Sequence, residues 1–192
     1  MTRTFLAVAL PDPTRTAIEC LQGELRASWP GLRWTAPEQL HLTLAFLGDV
    51  PTNEIDRLGD ALDGTVGSIP RFALELQGLG AFPSPGRARV LWVGIVGEAL
   101  TLLEALQRSV VEATSSAGHP PADHRFHPHV TMARSKTGRG PSPNLVALCD
   151  RYETWKAGAF PVEAVLLMAS ELTPRGPIYR VLRSAPLAAT ST

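Results

Sequence analysis

The sequence predicts an α+β protein of two similar α/β units, bilobal, with two antiparallel sheets facing a central cleft and the helices outside. Three observations carry this reading. Strand-like and helix-like apolar patterns alternate along the chain, and the same order of elements occurs twice. Both copies hold a His-x-Thr-x strand, His41-Leu42-Thr43-Leu44 and His129-Val130-Thr131-Met132. The register agrees, since Phe72 lies 31 residues after His41 and Phe160 lies 31 residues after His129. The 192 residues read as one domain with motif-bearing halves at about 12–96 and 98–183, followed by a loose tail at 184–192.

In order, Thr4–Leu10 is an apolar, strand-length run that stops at Pro11. Asp12-Pro13 opens a helix, because Asp caps free N–H groups and Pro suits the first turn; Ile18, Leu21 and Leu25 form its apolar stripe. A loop carrying Trp34 follows, then the strand Leu40–Leu47, ended by Gly48-Asp49. Pro51–Glu54 starts a second helix with Ile55, Leu58 and Leu62 at helical spacing. Two strands, Phe72–Leu76 and Val90–Val96, flank the Pro/Gly loop that contains Phe82-Pro83-Ser84-Pro85-Gly86. The third helix runs from about Glu98 to Ser115, with Leu102, Leu103, Leu106 and Val110 facing inward. The loop Ala117–Phe126 precedes the strand His127–Ala133, and the Gly/Pro-rich loop Thr137–Pro143 leads to a short helix near Leu145–Tyr152. Val162–Ala169 and Tyr179–Leu182 are the last strands.

Composition narrows the function classes. A formal net charge of zero argues against a protein that coats long nucleic acid by neutralising its backbone. Of the 18 cationic residues only Lys136 and Lys156 are Lys, so 16 are Arg, the residue that grips phosphate with paired hydrogen bonds. No apolar run approaches the roughly 18 residues of a membrane span. Phe5–Leu10 is too short for a signal peptide, so a cytoplasmic chain is expected. Cys20 and Cys149 form no CxxC pair and read as reduced thiols. Gly78-Leu79-Gly80 and Gly94–Gly97 lack the context of a phosphate-binding loop, and no cofactor is expected.

Side chains two apart in a strand share a face. His41, Thr43 and Ala45 therefore face the cleft, with Leu42, Leu44 and Phe46 on the core side; His127, His129, Thr131 and Ala133 oppose Val130 and Met132 in the same way. Two imidazoles on opposite walls of one cleft can act as general base and general acid on a single phosphorus centre, since their ordinary pKa of about 6.5 makes both forms accessible near neutrality. Threonine hydroxyls two residues on can donate to phosphate oxygens as charge builds on them. A single His-x-Thr arises readily by chance. Two copies at equivalent places are specific.

Leu40–Gly48 and Phe126–Arg134 closely resemble the paired signatures of the 2H phosphoesterase superfamily. Within it they resemble the RNA 2′,3′-cyclic phosphodiesterases, also called 2′-5′ RNA ligase-like proteins. The resemblance runs through Phe5-Leu6-Ala7-Val8, Val90-Leu91-Trp92-Val93-Gly94 and Gly176-Pro177-Ile178-Tyr179, with Met132 where leucine is usual. It implies a bilobal fold with a central cleft and hydrolysis of cyclic phosphates on RNA ends or small cyclic nucleotides to 2′-phosphates, without a metal. It also implies His41 as proton donor and His129 as proton acceptor. Reverse 2′-5′ ligation would be a weak side activity, because water is abundant. Spacing alone leaves the two roles interchangeable, since flipping the substrate exchanges them. A monomer is expected because one chain supplies both histidines.

Further candidates surround this pair. The resemblance makes Arg134 a phosphate clamp, but its parity is opposite to that of His129, so the strand must end or bend before it. Trp34 and Phe82 are candidates to stack a terminal base, Tyr179 to offer its hydroxyl to phosphate, and His127 to sit at the cleft mouth, while Trp92 reads as core. Lys136 and Arg139 read as solvated rim charges. Two alternatives stand beside the enzyme reading. One is a non-catalytic protein that binds RNA ends. The other is a zinc hydrolase built on His119, His124, His127 and His129; no Asp or Glu lies in or beside its His-x-His strand, and it leaves the His41 motif unexplained.

Overall fold

The computed structural model describes every residue except 86, 87, 124, 136–144, 175 and 190–192. The expectations for His124, Lys136 and Arg139, and for the loop Thr137–Pro143, lie outside the described residues. The described elements are β1 (Thr2–Ala9), α1 (Asp12–Arg26), β2 (Leu32–Trp34), β3 (His41–Val50), α2 (Ile55–Val66), β4 (Phe72–Phe82), β5 (Val90–Val96), α3 (Leu100–Ser116), β6 (His129–Ser135), α4 (Leu145–Arg151), β7 (Lys156–Val162), β8 (Ala164–Thr173) and β9 (Gly176–Pro186). The helices bury apolar stripes such as Ile18, Leu21 and Leu25 of α1 and Leu58, Leu62 and Val66 of α2 against the sheet. In α3 the buried stripe is Leu103, Leu106 and Val110, and Leu102 is exposed rather than inward.

All pairing is antiparallel between the named strands, in the order β7-β4-β5-β6-β3-β1-β8-β9, with β2 added on β6. The two sheets expected from the sequence are the halves of this one curled sheet. They meet where β3 and β6 pair through Leu42 and Val130. The halves of the chain are not the halves of the molecule. The His129 strand β6 pairs with β5, and β5 with β4, both from the first half of the sequence, with α1 and α4 against that side. The His41 strand β3 lies with β1 and with β8 and β9 from the second half, under α2 and α3. Each lobe thus borrows strands from the other copy, because the backbone groups of each His strand are satisfied by partners distant in sequence.

Three expectations are corrected. β4 continues past Leu76 to Phe82 because Gly78, at φ 75°, takes the extra position of a bulge between Gln77 and Leu79. Lys156–Val162 is a strand that the sequence pattern does not announce, since it carries Gly158 and Pro161; at the edge of a sheet both are tolerated. Phe160 therefore lies in β7 opposite Leu74, so Phe72 and Phe160 occupy paired neighbouring strands and not equivalent ones. The tail is tied down as far as residue 188. β9 extends to Pro186, Leu187 is buried, and its N–H donates to Glu163 O at 2.8 Å. Ala188 N–H donates to Ile69 O at 2.8 Å and its carbonyl accepts from Arg71 N–H at 3.1 Å. A short, mostly small-residue segment concealed a contact made largely by backbone and completed by the buried Leu187 side chain. Cys149 is buried, whereas Cys20 is exposed.

Candidate active site

His41 and His129 open β3 and β6, one residue before the Leu42–Val130 pair that joins the half-sheets. The two rings are seated alike. His41 Nδ1–H donates to the carbonyl of Gln39 at 2.7 Å, and His129 Nδ1–H donates to that of His127 at 2.6 Å. A carbonyl can only accept, so each contact selects the tautomer whose Nε2 is unprotonated in the neutral ring. Aromatic rings complete each seat. His41 lies 5.0 Å from Phe5 and meets Tyr179 edge-on at 5.2 Å. His129 meets Phe82 edge-on at 5.0 Å and has Trp92 at 6.1 Å.

Burial among these rings pushes both imidazoles below their ordinary pKa. The carbonyl hydrogen bonds oppose this by favouring the charged ring, and the Arg134 guanidinium lowers both further. Tyr179 is pushed up by burial and drawn back by Arg134 and Arg3, so near neutrality its hydroxyl keeps its proton.

A β-bulge at the same place in each His-x-Thr-x strand sets the facing of the residues beyond the threonine. Leu91 and Trp92 are consecutive in β5 but face Ala133 and Thr131, so Met132 is the extra residue of β6. Leu6 and Ala7 of β1 face Ala45 and Thr43, which makes Leu44 the extra residue of β3. Two successive residues then turn to the buried side: Met132 and Ala133 at 0% exposure, Leu44 and Ala45 at 3% and 6%. Simple alternation places both alanines in the cleft, and the bulges overturn it. The bulge also reverses the parity beyond it and turns Arg134 into the cleft. Its counterpart Phe46, expected in the core, is 52% exposed and lines the cleft as well. Each stands five residues after its histidine, a relation present in the sequence that only the bulges make meaningful.

The cleft is about 540 Å³. It brings together His41, Thr43, His129, Thr131, Arg134, Tyr179 and Trp34 of the expected residues. Trp34 reaches it from the strand β2 and not from a loop. Phe82 and His127 are not in its lining. Phe82 closes β4 and is held against Trp92 and His129, away from the base-stacking position expected of it. His127 precedes β6 and serves His129 through its carbonyl. Trp92 is also displaced from expectation: the core side of β5 is Leu91, Val93 and Ile95, and Trp92 is half-buried on the His129 side over Gly80. Residues not expected in the cleft include Arg3, Arg33, Gln39, Phe5 and Phe46. Among the described residues three arginines, two histidines and no Asp or Glu line it, and such a wall attracts anions. Outside it, His119 Nε2 is paired with Glu54 at 2.7 Å. No group of three or more His, Cys, Asp or Glu suited to a metal occurs among the described residues.

The fold brings two histidines from equivalent strands to one arginine-bearing cleft, and comparison with known proteins gives the family. A family model described as LigT like phosphoesterase matches the chain twice, over residues 8–92 and 93–179, in keeping with the duplication. The RNA 2′,3′-cyclic phosphodiesterase of Aeropyrum pernix is 40% identical over 145 residues, 76% of this chain and 80% of that protein. Among solved structures, TT0787 of Thermus thermophilus superposes with a TM-score of 0.78 at 35% identity, covering 98% of this chain and 100% of that one. Escherichia coli LigT complexed with 3′-AMP gives 0.74 at 26% identity over 97% and 98%. The chain belongs to the LigT-like phosphoesterase family, within the 2H phosphoesterase superfamily. No helix among the described residues is long and apolar enough to cross a membrane.

Proposed function

We propose that this protein hydrolyses 2′,3′-cyclic phosphates at RNA ends to 2′-phosphates by general acid–base catalysis between His41 and His129, without a metal. The observation that carries this reading is the matched pair of imidazoles, each with Nδ1 tied to a carbonyl and Nε2 left for chemistry, in a cleft lined by arginine and, among the described residues, free of carboxylates. The name shared by relatives such as that of A. pernix supplies the substrate class.

In this mechanism neutral His129 takes a proton from water through Nε2, and the water oxygen bonds to phosphorus. The bond from phosphorus to the 3′ oxygen breaks, and His41 Nε2–H protonates the departing oxygen. The 2′ oxygen keeps the phosphate. The two rings end with exchanged protonation and reset by exchange with solvent. Thr43, Thr131 and Arg134 hold the non-bridging oxygens as charge builds on them, with the Tyr179 hydroxyl as a further donor and Trp34 as a platform for the base. Placing His41 as donor follows the family resemblance. Phe46 opposite Arg134 makes the two walls unequal, which favours one substrate orientation. A monomer in the cytoplasm suffices, with weak 2′-5′ ligation where an RNA 5′-hydroxyl takes the place of water as the nucleophile.

The test is hydrolysis of a short RNA ending in a 2′,3′-cyclic phosphate, with EDTA present. Wild type is expected to yield a 2′-phosphate, and His41→Ala and His129→Ala each to lose about 10²- to 10⁴-fold while remaining folded. Activity lost in EDTA and restored by zinc would replace this reading with a metal hydrolase. Binding of RNA ends with no turnover in any condition would replace it with a recognition protein.

A further inference from the structure

Two arginines of the cleft stand directly opposite each other in the sheet. The β2–β6 register pairs Arg33 with Arg134, and both side chains are exposed and line the same cleft. Like charges facing each other across an antiparallel pair weaken that pair. Neither guanidinium has a carboxylate within ion-pair distance among the described residues. Arg3, also in the cleft, differs in that its cross-strand neighbour in the register of β1 and β3 is Asp49.

β2 is only three residues long, yet it is fastened firmly. Thr35 N–H donates to Met132 O at 2.8 Å. The side chain of Gln22, from α1 and 1% exposed, donates through Nε2 to both Thr35 O and Met132 O at 3.0 Å. A buried amide thus clamps β2 onto the bulge that aims Arg134. The fold holds two unneutralised guanidiniums side by side at a fixed place, with Trp34 next to one of them.

We propose that Arg33 forms a second phosphate subsite, which binds the internucleotide phosphate preceding the cyclic end and selects oligonucleotides over mononucleotides. This rests on the function proposed above. Cα atoms across an antiparallel pair lie about 4.5–5.5 Å apart. From there two long side chains reach successive phosphates of an extended strand, with Arg134 at the reacting phosphate and Arg33 at the one before it. Bound phosphates would supply the negative charge that the sheet itself withholds from this pair.

The experiment compares kcat/KM for a nucleoside 2′,3′-cyclic monophosphate and for a trinucleotide ending in the same group, using wild type, Arg33→Gln and Arg33→Lys. In parallel, fluorescence anisotropy measures binding of a labelled trinucleotide 3′-phosphate. Wild type is expected to prefer the trinucleotide. Arg33→Gln should lose about tenfold on it in kcat/KM and in affinity, against at most about twofold on the mononucleotide, and Arg33→Lys should recover part of the loss. The slope of log affinity against log salt should shrink by about 0.7, the share of one single-strand phosphate. Arg33→Gln should melt no lower than wild type, because a repulsion has been removed. Equal losses on both substrates, no loss on the trinucleotide, or a lower melting temperature would each overturn the subsite. If wild type turns over neither substrate, the proposed function fails. The anisotropy arm still decides the subsite, which stands on a tenfold weakening and falls without it.

Discussion

Arg134→Met separates two things that the bulge in β6 accomplishes. The side chain keeps its length and loses its charge. A hydrogen bond to a charged group contributes about 1.5–3 kcal/mol net, so losing the clamp on a phosphate in its transition state should lower kcat/KM by about 10- to 150-fold. The same charge lowers the pKa of both histidines. In the free wild-type enzyme burial and Arg134 together place both imidazoles below their ordinary pKa. The state with one ring charged and one neutral is then most populated below about pH 6.5, and kcat/KM falls above that as the acid loses its proton. Without Arg134 both pKa values rise, and the profile must move to higher pH. The movement is partial, because burial is the larger cause and remains. The assay is kcat/KM on a cyclic-phosphate RNA end, from about two pH units below to two above the ordinary imidazole pKa of about 6.5, with Arg134→Lys as companion. The lysine retains the charge, so its profile should stay near that of wild type while its rate falls. Full activity in Arg134→Met would refute the claim that the bulge delivers this residue to the reacting phosphate. A large loss with an unmoved or acid-shifted profile would refute its electrostatic hold on the imidazoles.

Two further outcomes concern the scaffold. A methyl group at Gly80 would lie inside the Trp92 indole, so Gly80→Ala should destabilise by about 1–3 kcal/mol of overpacking and lower activity by disturbing the ring beside His129. An unchanged melting temperature would show that the indole has room to move. Truncation after residue 186 removes a buried Leu187, worth about 2 kcal/mol, and three backbone hydrogen bonds. The expected loss is about 3–5 kcal/mol by urea denaturation, and a loss under about 1 kcal/mol would mean that the tail contributes nothing there.

The duplicated His-x-Thr-x pair, the helices and the antiparallel class are legible in the sequence, because they rest on local periodicity and on the chemistry of individual side chains. His41, Thr43, His129 and Thr131 need only the period of two, and they stand ahead of the bulges, where that period still holds. Past Leu44 and Met132 it fails, since one inserted residue reverses the assignments that follow, until a second bulge at Leu47 restores them in β3. Alternation therefore puts Ala45 and Ala133 in the cleft, Phe46 in the core and Arg134 on the wrong side. Nothing in Leu44 or Met132 announces a bulge; it exists because β1 and β5 pair across it. Partners far apart in the chain likewise decide that β6 joins β5, that Arg33 faces Arg134, and that residues 184–188 are tied to β8 and to the segment before β4. Side-chain chemistry is written residue by residue and can be read so, whereas backbone pairing belongs to two segments at once and becomes determinate only when the whole sheet has closed.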